Sequence, residues 1–393
     1  MTYIYHINSI ILFSQTLPIH LYRALYLSTE LLCDKYDTLL SKAHNRQVAF
    51  SQSGSDACSV VLSTTTVCRS ARIFRPTYEL PLCLPVAPAA HSMLFANNLD
   101  QNGSHEQKSR FLPDACEGTK IAGMCMSEPG AGTDVLGMTT RAVPSLDGSS
   151  YKIDGAKMWI TNGTTDGRTT GDVFLVYART GPGRQDVSMF LVEKGTPGFK
   201  LGQKIEGKCG MRASMTAELV FDGVEVSREN LVGHENGAML CMMRNLEIER
   251  VTLAAMGLGI ARRCIEVMNA YGKERKAFGS PINSFGQMQR HIADSYAEYM
   301  AGKYYVYGVA ANLDLSSTGN GLDADGTKLY CTTMAKNVAD RAMQVLGGYG
   351  YCDEYKVERL WRDAKLLEIG GGTLEAHHKN MVRDLAKNIV SLP

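Results

Sequence analysis

The chain has 393 residues, 45% of them apolar, with 41 basic residues against 40 acidic ones. That length exceeds what a single hydrophobic core organises, which points to two or three packed domains. A net charge of +1 excludes a broad basic surface for nonspecific nucleic-acid or membrane attraction, so any anionic ligand must be held by local groups.

The 11 cysteines are scattered. They lack the paired spacing of a metal site and the density of a secreted disulfide scaffold, so no metal and a reducing compartment are expected. In chain order, Met1 to about Arg46 is apolar, but Pro18 interrupts a poor helical period. The run from Ile10 to Leu27 is broken by Pro18, His20 and Arg23, and no stable membrane insertion is expected. No acidic residue precedes Glu30, which suits an organelle-targeting leader and an ordinary apolar helix equally. Gln47 to about Leu80 is rich in Ser, Thr and Cys and shows no helical stripe.

From about Ile121 to Gly233 the texture changes to short β-branched and aromatic runs separated by Gly, Pro, Asp and Asn. That is how an antiparallel β domain reads, with strands expected at Tyr151–Ile153, Lys157–Thr161, Val173–Ala178, Val187–Val192 and Ala217–Phe221. After Gly237 the pattern lengthens into helices with breakers near Gly279–Pro281, Ser317–Gly321 and Gly347–Gly350, the pattern of an antiparallel bundle.

On the first of these helices Met242, Leu246, Glu249, Leu253, Met256 and Ile260 share one face, so Glu249 is a carboxylate inside an apolar stripe. Desolvation raises the pKa of such a group and suits it to take a proton from a weak carbon acid. The same pattern also suits a structural ion pair. The turn Met124–Asp134 offers backbone N–H groups and the Ser127 and Thr133 hydroxyls to a polar ring edge or phosphate, although such turns are common. Trp159 lies on a strand, either as plain core or as a cover for a flat cofactor. Gln344–Tyr351 ends a helix in glycines that cap it or let a ligand approach the backbone. Arg359, Arg362 and Asp363 come next at helical spacing, open to a solvated-face reading, and Gly370–Thr373 is a hinge between helices.

Together these segments resemble the acyl-CoA dehydrogenase family from about Leu82 to Asp384. Four motifs occur in the family's order: Met126-Ser-Glu-Pro-Gly-Ala-Gly-Thr-Asp134, Trp159-Ile-Thr-Asn-Gly163, Glu274-Arg-Lys-Ala-Phe-Gly279, and Gln344-Val-Leu-Gly-Gly-Tyr-Gly-Tyr351 leading to Arg362-Asp-Ala-Lys365. The resemblance implies an α+β multidomain fold. Its parts would be a helical N-terminal domain over residues 1–120, atypical before about residue 82, a central antiparallel β domain over 121–233, and a C-terminal four-helix bundle over 234–393.

It also implies FAD as cofactor, bound across subunits of a homotetramer. Cys125, Met126, Ser127, Thr133, Trp159, Ile160 and Thr161 would hold the flavin end, and Arg275 and Phe278 the rest. Gln344, Gly347 and Gly348 would reach it from a second subunit, and Thr373 and Glu375 from the hinge. Most members carry the catalytic Glu in the hinge, where this chain has Gly371. A smaller group carries it on the bundle helix directly before an Arg, which Glu249-Arg250 matches. Thr133, Glu247, Arg250, Gly370 and Gly371 would then line the acyl-CoA site.

The open volume at Gly370 and Gly371, with the wording of Ala90–Phe95 and Ser188–Gly195, is most similar to the isovaleryl-CoA branch of the family. The implied partners are the acyl-CoA substrate and electron-transfer flavoprotein, and the implied compartment is the mitochondrial matrix. The chain departs from the family pattern at Gly286, where a Gln is usual, although Gln287 stands next to it. It departs again at His377 and His378, where an Arg is usual, at Lys356, and throughout the first 81 or so residues.

Overall fold

The computed structural model describes residues 86–313 and 321–387. The expectations made for Met1 to Leu80 lie outside the described residues.

The described chain opens with a helical rod in which Val86–Ala89 (α1) runs through a π-helical stretch, Ala90–Asn97, into Asn98–Asn102 (α2). The buried His91 ring fastens this rod to two later backbone positions. Its Nδ1 accepts from the Ala122 backbone N–H at 2.9 Å, so Nε2 carries the proton and donates to Ala115 O at 2.9 Å. Helix α3 (His105–Glu117) starts in a capping box, with Ser104 and Gln107 satisfying each other's backbone N–H groups, and stops at Gly118, φ 70°.

The sheet comprises β1 (Ala122–Cys125), β2 (Arg141–Pro144), β3 (Ser150–Thr161), β4 (Val173–Arg179), β5 (Val187–Glu193), β6 (Phe199–Lys204), β7 (Thr216–Ser227) and β8 (Leu231–Val232). Its order is β6-β7-β3-β2-β4-β5-β8, with β1 beside β4. The antiparallel expectation holds for every pairing but two: β1 and β2 each run parallel to β4, so the sheet is mixed. Val173–Ala178 and Val187–Val192 are buried on both faces, which is why they read as unbroken apolar runs. The two strands expected at Tyr151–Ile153 and Lys157–Thr161 are one strand, β3, bent by irregularities at Ile153/Gly155 and Lys157/Ile160.

The long helix α4 (Ala238–Glu274) leads through a short hairpin of β9 (Lys276–Ala277) and β10 (Ser280–Pro281) to α5 (Gly286–Asn312). Then come α6 (Gly321–Leu346), the short α7 (Gly348–Tyr351), α8 (Val357–Leu367) and α9 (Leu374–Lys387). Helix α6 packs on α4, α5, α8 and α9, and its wholly buried Ala335, Val338, Ala339 and Ala342 form the middle of the bundle core. Its approach to α4 depends on Gly257, where a Cβ would stand 2.9 Å from Cys331 O.

Helix α8 fastens the bundle to the β domain. The buried Asp363 carboxylate accepts from the Met211 backbone N–H, and Arg362 pairs with Glu358 at 2.7 Å while donating to Cys209 O at 2.8 Å. Arg362 and Asp363 are therefore not the solvated face that their spacing also allowed. Asp363 is buried because a loop of the β domain, distant in sequence, covers it.

Candidate active site

Glu249 sits on α4 where its apolar stripe puts it, with Met242, Leu253, Met256 and Ile260 buried along the same helix. Burial pushes its carboxyl above the ordinary range, while the charges of Lys328 and Arg250 oppose that rise. The hinge between α8 and α9 comes directly against it. A Cβ on Gly371 would lie 3.4 Å from Glu249 Cδ and 3.6 Å from its Oε1. The helix position and the hinge position thus converge on one point, but the open volume expected at Gly370 and Gly371 holds at Gly370 alone, because a Cβ at 371 would stand 2.5 Å from Leu253 Cδ1 while one at 370 would meet only Leu366 O at 3.5 Å. Gly371 also holds φ 66°, the left-handed region that favours glycine.

Arg250 turns from the stripe and pairs with the buried Asp325 of α6 at 3.0 Å. Glu247 is buried and points toward the start of α6, with its Oε1 3.4 Å from where a Gly321 Cβ would stand, so Glu247 and Glu249 leave α4 on different sides.

The expected cofactor residues fall into two groups. In the β domain, the Met158 backbone N–H donates to Ser127 O at 2.9 Å, which brings the Met126–Thr133 turn against the Trp159 segment. Trp159 has φ 60° and leaves its indole 54% exposed, so it is not plain core. Thr133 is exposed, and Ser127 and Thr161 are partly open. Cys125 and Ile160 turn their side chains into the sheet core, so only their backbones can meet a ligand, and Met126 is likewise buried.

In the bundle, Arg275 ends α4 and Phe278 stands 97% exposed on the hairpin after it. Gln344, Gly347 and Gly348 are exposed at the end of α6, close by through the Tyr271–Tyr349 ring contact at 6.3 Å. Gly347 serves both readings of its motif: its N–H donates to Met343 O at 2.9 Å as a cap, and a Cβ there would meet nothing. Thr373 caps α9 by accepting from the Ala376 N–H at 3.3 Å, and Glu375 is exposed beside it. An exposed indole on a left-handed backbone position, open hydroxyls and a bare glycine turn fit a large planar, phosphate-bearing group such as FAD.

Sequence reasoning missed two features. The first is an ion pair beneath the Met126–Thr133 turn, in which Lys157, wholly buried, meets Glu128 at 2.9 Å and also donates to Met126 O at 3.0 Å. Glu128 additionally accepts from the Thr139 and Thr140 backbone N–H groups, at 2.6 and 3.0 Å. Burial disfavours its charge, yet Lys157 and these donors bring its pKa down to about 2. The signal available was a Glu inside the turn motif and a Lys opening the Trp159 motif. The second is a buried charged cluster around the hinge, formed by Lys328, Asp325 and His377, which no local pattern announced.

A helical bundle carrying a desolvated carboxylate at its hinge, docked on a β domain that presents an open indole, matches one family. The acyl-CoA dehydrogenase C-terminal domain matches residues 236–386, and the acyl-CoA dehydrogenase middle domain matches residues 123–224. The chain belongs to the acyl-CoA dehydrogenase family and is an oxidoreductase acting on acyl-CoA, whose members are flavoproteins using FAD. It is 40% identical over 300 residues to the mitochondrial isovaleryl-CoA dehydrogenase of Solanum tuberosum, covering 76% of this chain and 71% of that one. It is 39% identical over 289 residues to the short-chain-specific acyl-CoA dehydrogenase of Clostridium acetobutylicum, covering 73% and 74%. Among solved structures it resembles butyryl-CoA dehydrogenase from Megasphaera elsdenii with a TM-score of 0.74 and 29% identity, over 86% of this chain and 100% of that one.

Proposed function

We propose that the protein oxidises a short branched acyl-CoA, isovaleryl-CoA foremost, to the corresponding enoyl-CoA, 3-methylcrotonyl-CoA, as in leucine catabolism. The observation that carries this reading is the contact of Gly371 with Glu249, which supports a base on α4, with open space at the neighbouring Gly370. The likeness to an isovaleryl-CoA dehydrogenase favours the same substrate. That to a short-chain-specific enzyme keeps a straight short chain as the second reading.

Glu249 removes the substrate's α proton, and its raised pKa matches it to a weak carbon acid. Bound FAD supplies the acceptor for the β hydrogen, which leaves as hydride. The Gly371 N–H polarises the thioester carbonyl, and Arg250, Glu247, Gly370 and Thr133 shape the acyl-CoA site around it. Cys125 and Met126 through their backbones, with Ser127, Trp159, Ile160 and Thr161, hold the flavin end. Arg275 and Phe278 hold the rest of the cofactor, with Gln344, Gly347 and Gly348 of a second subunit and Thr373 and Glu375 at the hinge. The working form is a homotetramer of three-domain chains divided near residues 120 and 233. It passes electrons to electron-transfer flavoprotein in the mitochondrial matrix.

The test is anaerobic titration of the purified flavoprotein with isovaleryl-CoA, comparing the parent with Glu249→Gln. Rapid bleaching of the flavin band that is slowed at least about a thousandfold by the substitution, a loss of roughly 4 kcal/mol of barrier lowering, is expected. Bleaching that survives it would remove Glu249 from the role of base. Bleaching by butyryl-CoA in preference would establish the second reading.

A further inference from the structure

Behind Glu249 the bundle buries more charge than one ion pair. On α6, Asp325 and Lys328 are one turn apart and both wholly buried. Lys328 Nζ donates to the hinge carbonyl Gly372 O, and the same oxygen receives His377 Nε2 at 3.0 Å. His377, also wholly buried, meets Asp325 through Nδ1, and Asp325 in turn holds Arg250 at 3.0 Å. The Lys328 ammonium therefore fixes the carbonyl of the residue next to Gly371, the residue that lies against the Glu249 carboxyl, and the His377 ring packs against the same oxygen.

We infer that Lys328 is a positioning residue for the reaction proposed above, on which this inference rests. Its ammonium fixes the hinge carbonyl and also supplies a buried counter-charge that lowers the proton affinity of Glu249.

The division of charge supports this role. Of the basic groups near Glu249, Arg250 is committed to Asp325, and the His377 ring lies between Asp325 and the hinge carbonyl. Lys328 has the Gly372 carbonyl as its hydrogen-bond partner and no ion pair with a carboxylate among the described residues. The groups that act on it are Glu249, Arg250, Asp325 and Glu368, and Glu368 is itself paired with Lys365 at 2.6 Å. Burial brings the Lys328 pKa down to about 8, so the side chain is still cationic at neutral pH, where its field opposes the rise that burial imposes on Glu249. His377 is held below the usual imidazole range by burial, while its Asp325 contact opposes this. Lys328 lowers the proton affinity of Glu249 in the resting site without donating a hydrogen bond that would have to break during turnover.

The experiment compares Lys328→Gln, which keeps an N–H donor for Gly372 O but removes the charge, with Lys328→Arg, which keeps the charge. The pH dependence of kcat/KM for isovaleryl-CoA is measured on each purified holoenzyme, alongside flavin content. In Lys328→Gln the acid limb of the profile moves to higher pH by about one unit or more, and in Lys328→Arg it returns toward the parent position. An acid limb unmoved in Lys328→Gln, with only a uniform fall in rate or flavin content, overturns the proposal. So does an arginine variant that shifts as the glutamine variant does. If neither Lys328→Gln nor Lys328→Met yields folded holoenzyme while Lys328→Arg does, the lysine is structural and the proposal falls. A parent enzyme that no acyl-CoA reduces would instead overturn the reaction assignment itself.

Discussion

Glu249 was legible from its own helix because a stripe repeating every three or four residues fixes which side chains share a face, whatever the rest of the chain does. Its neighbours were not. Lys328, Asp325 and His377 come from α6 and α9, and their meeting at the hinge depends on how three helices pack, a long-range fact that no local spacing encodes. His377 and His378 illustrate the difference: both occupy the stretch where an Arg was expected, yet His377 is wholly buried in the cluster and His378 is exposed. Gly371 shows the opposite case, in which a bare backbone position carries the information. With φ 66° and its would-be Cβ 2.5 Å from Leu253 Cδ1 and 3.4 Å from Glu249 Cδ, it has no room for a branched side chain. Gly371→Val should therefore bind flavin but lose at least about tenfold in kcat/KM, or 1.4 kcal/mol, from backbone strain and from displacement of the base. Steady-state kinetics at constant flavin content checks this, and an unchanged kcat/KM would show that the hinge does not abut the base.

At the scale of elements, the positions of the strands were readable and their joining was not. Alternation of buried and exposed residues marks each half of β3, but the bulges that carry the strand through Gly155 and Trp159 belong to its pairing with β7. The same bend takes Lys157, a residue type that ordinarily stays in water, into full burial beside Glu128. The pair holds the turn that presents Ser127 and Thr133, so its loss acts first on the flavin side of the site. Glu128→Gln leaves Lys157 buried without a counter-charge and should destabilise the fold by about 3–5 kcal/mol. A thermal scan of the apoprotein, with flavin affinity measured beside it, reads that effect. A change below about 1 kcal/mol would mean that water reaches the pair. The pH dependence has a definite sign. Because the folded pKa of Glu128 is lowered from 4.5 to about 2, the stabilisation is complete above pH 4.5 and is lost as pH falls from there toward 2. The parent should lose melting temperature across that window more steeply than Glu128→Gln does.

For the whole molecule, the distribution of exposed groups is the informative feature. The β domain presents Trp159, Ser127 and Thr133 on one side, whereas Arg275, Phe278, Gln344, Gly347 and Gly348 gather where α4 and α6 end, and no hydrogen bond or ion pair among the described residues joins the two groups. Phe278 at 97% exposure, with Tyr351 at 81%, leaves apolar surface that a lone chain would have to keep in water. In the proposed assembly, a cofactor long enough to touch both groups from different subunits would remove that surface and link assembly to cofactor binding. Mass action then makes flavin retention depend on protein concentration, since ligand that bridges subunits binds the assembled state more tightly than the separated one. Dilution of the holoprotein should release flavin in step with dissociation, and Phe278→Ala should shift both transitions to higher protein concentration. Sedimentation velocity recorded at the flavin absorbance band separates the outcomes. Flavin that leaves the boundary of the assembled form as subunits separate supports a shared site, whereas flavin that sediments with the monomer at full occupancy would place the whole cofactor within one chain.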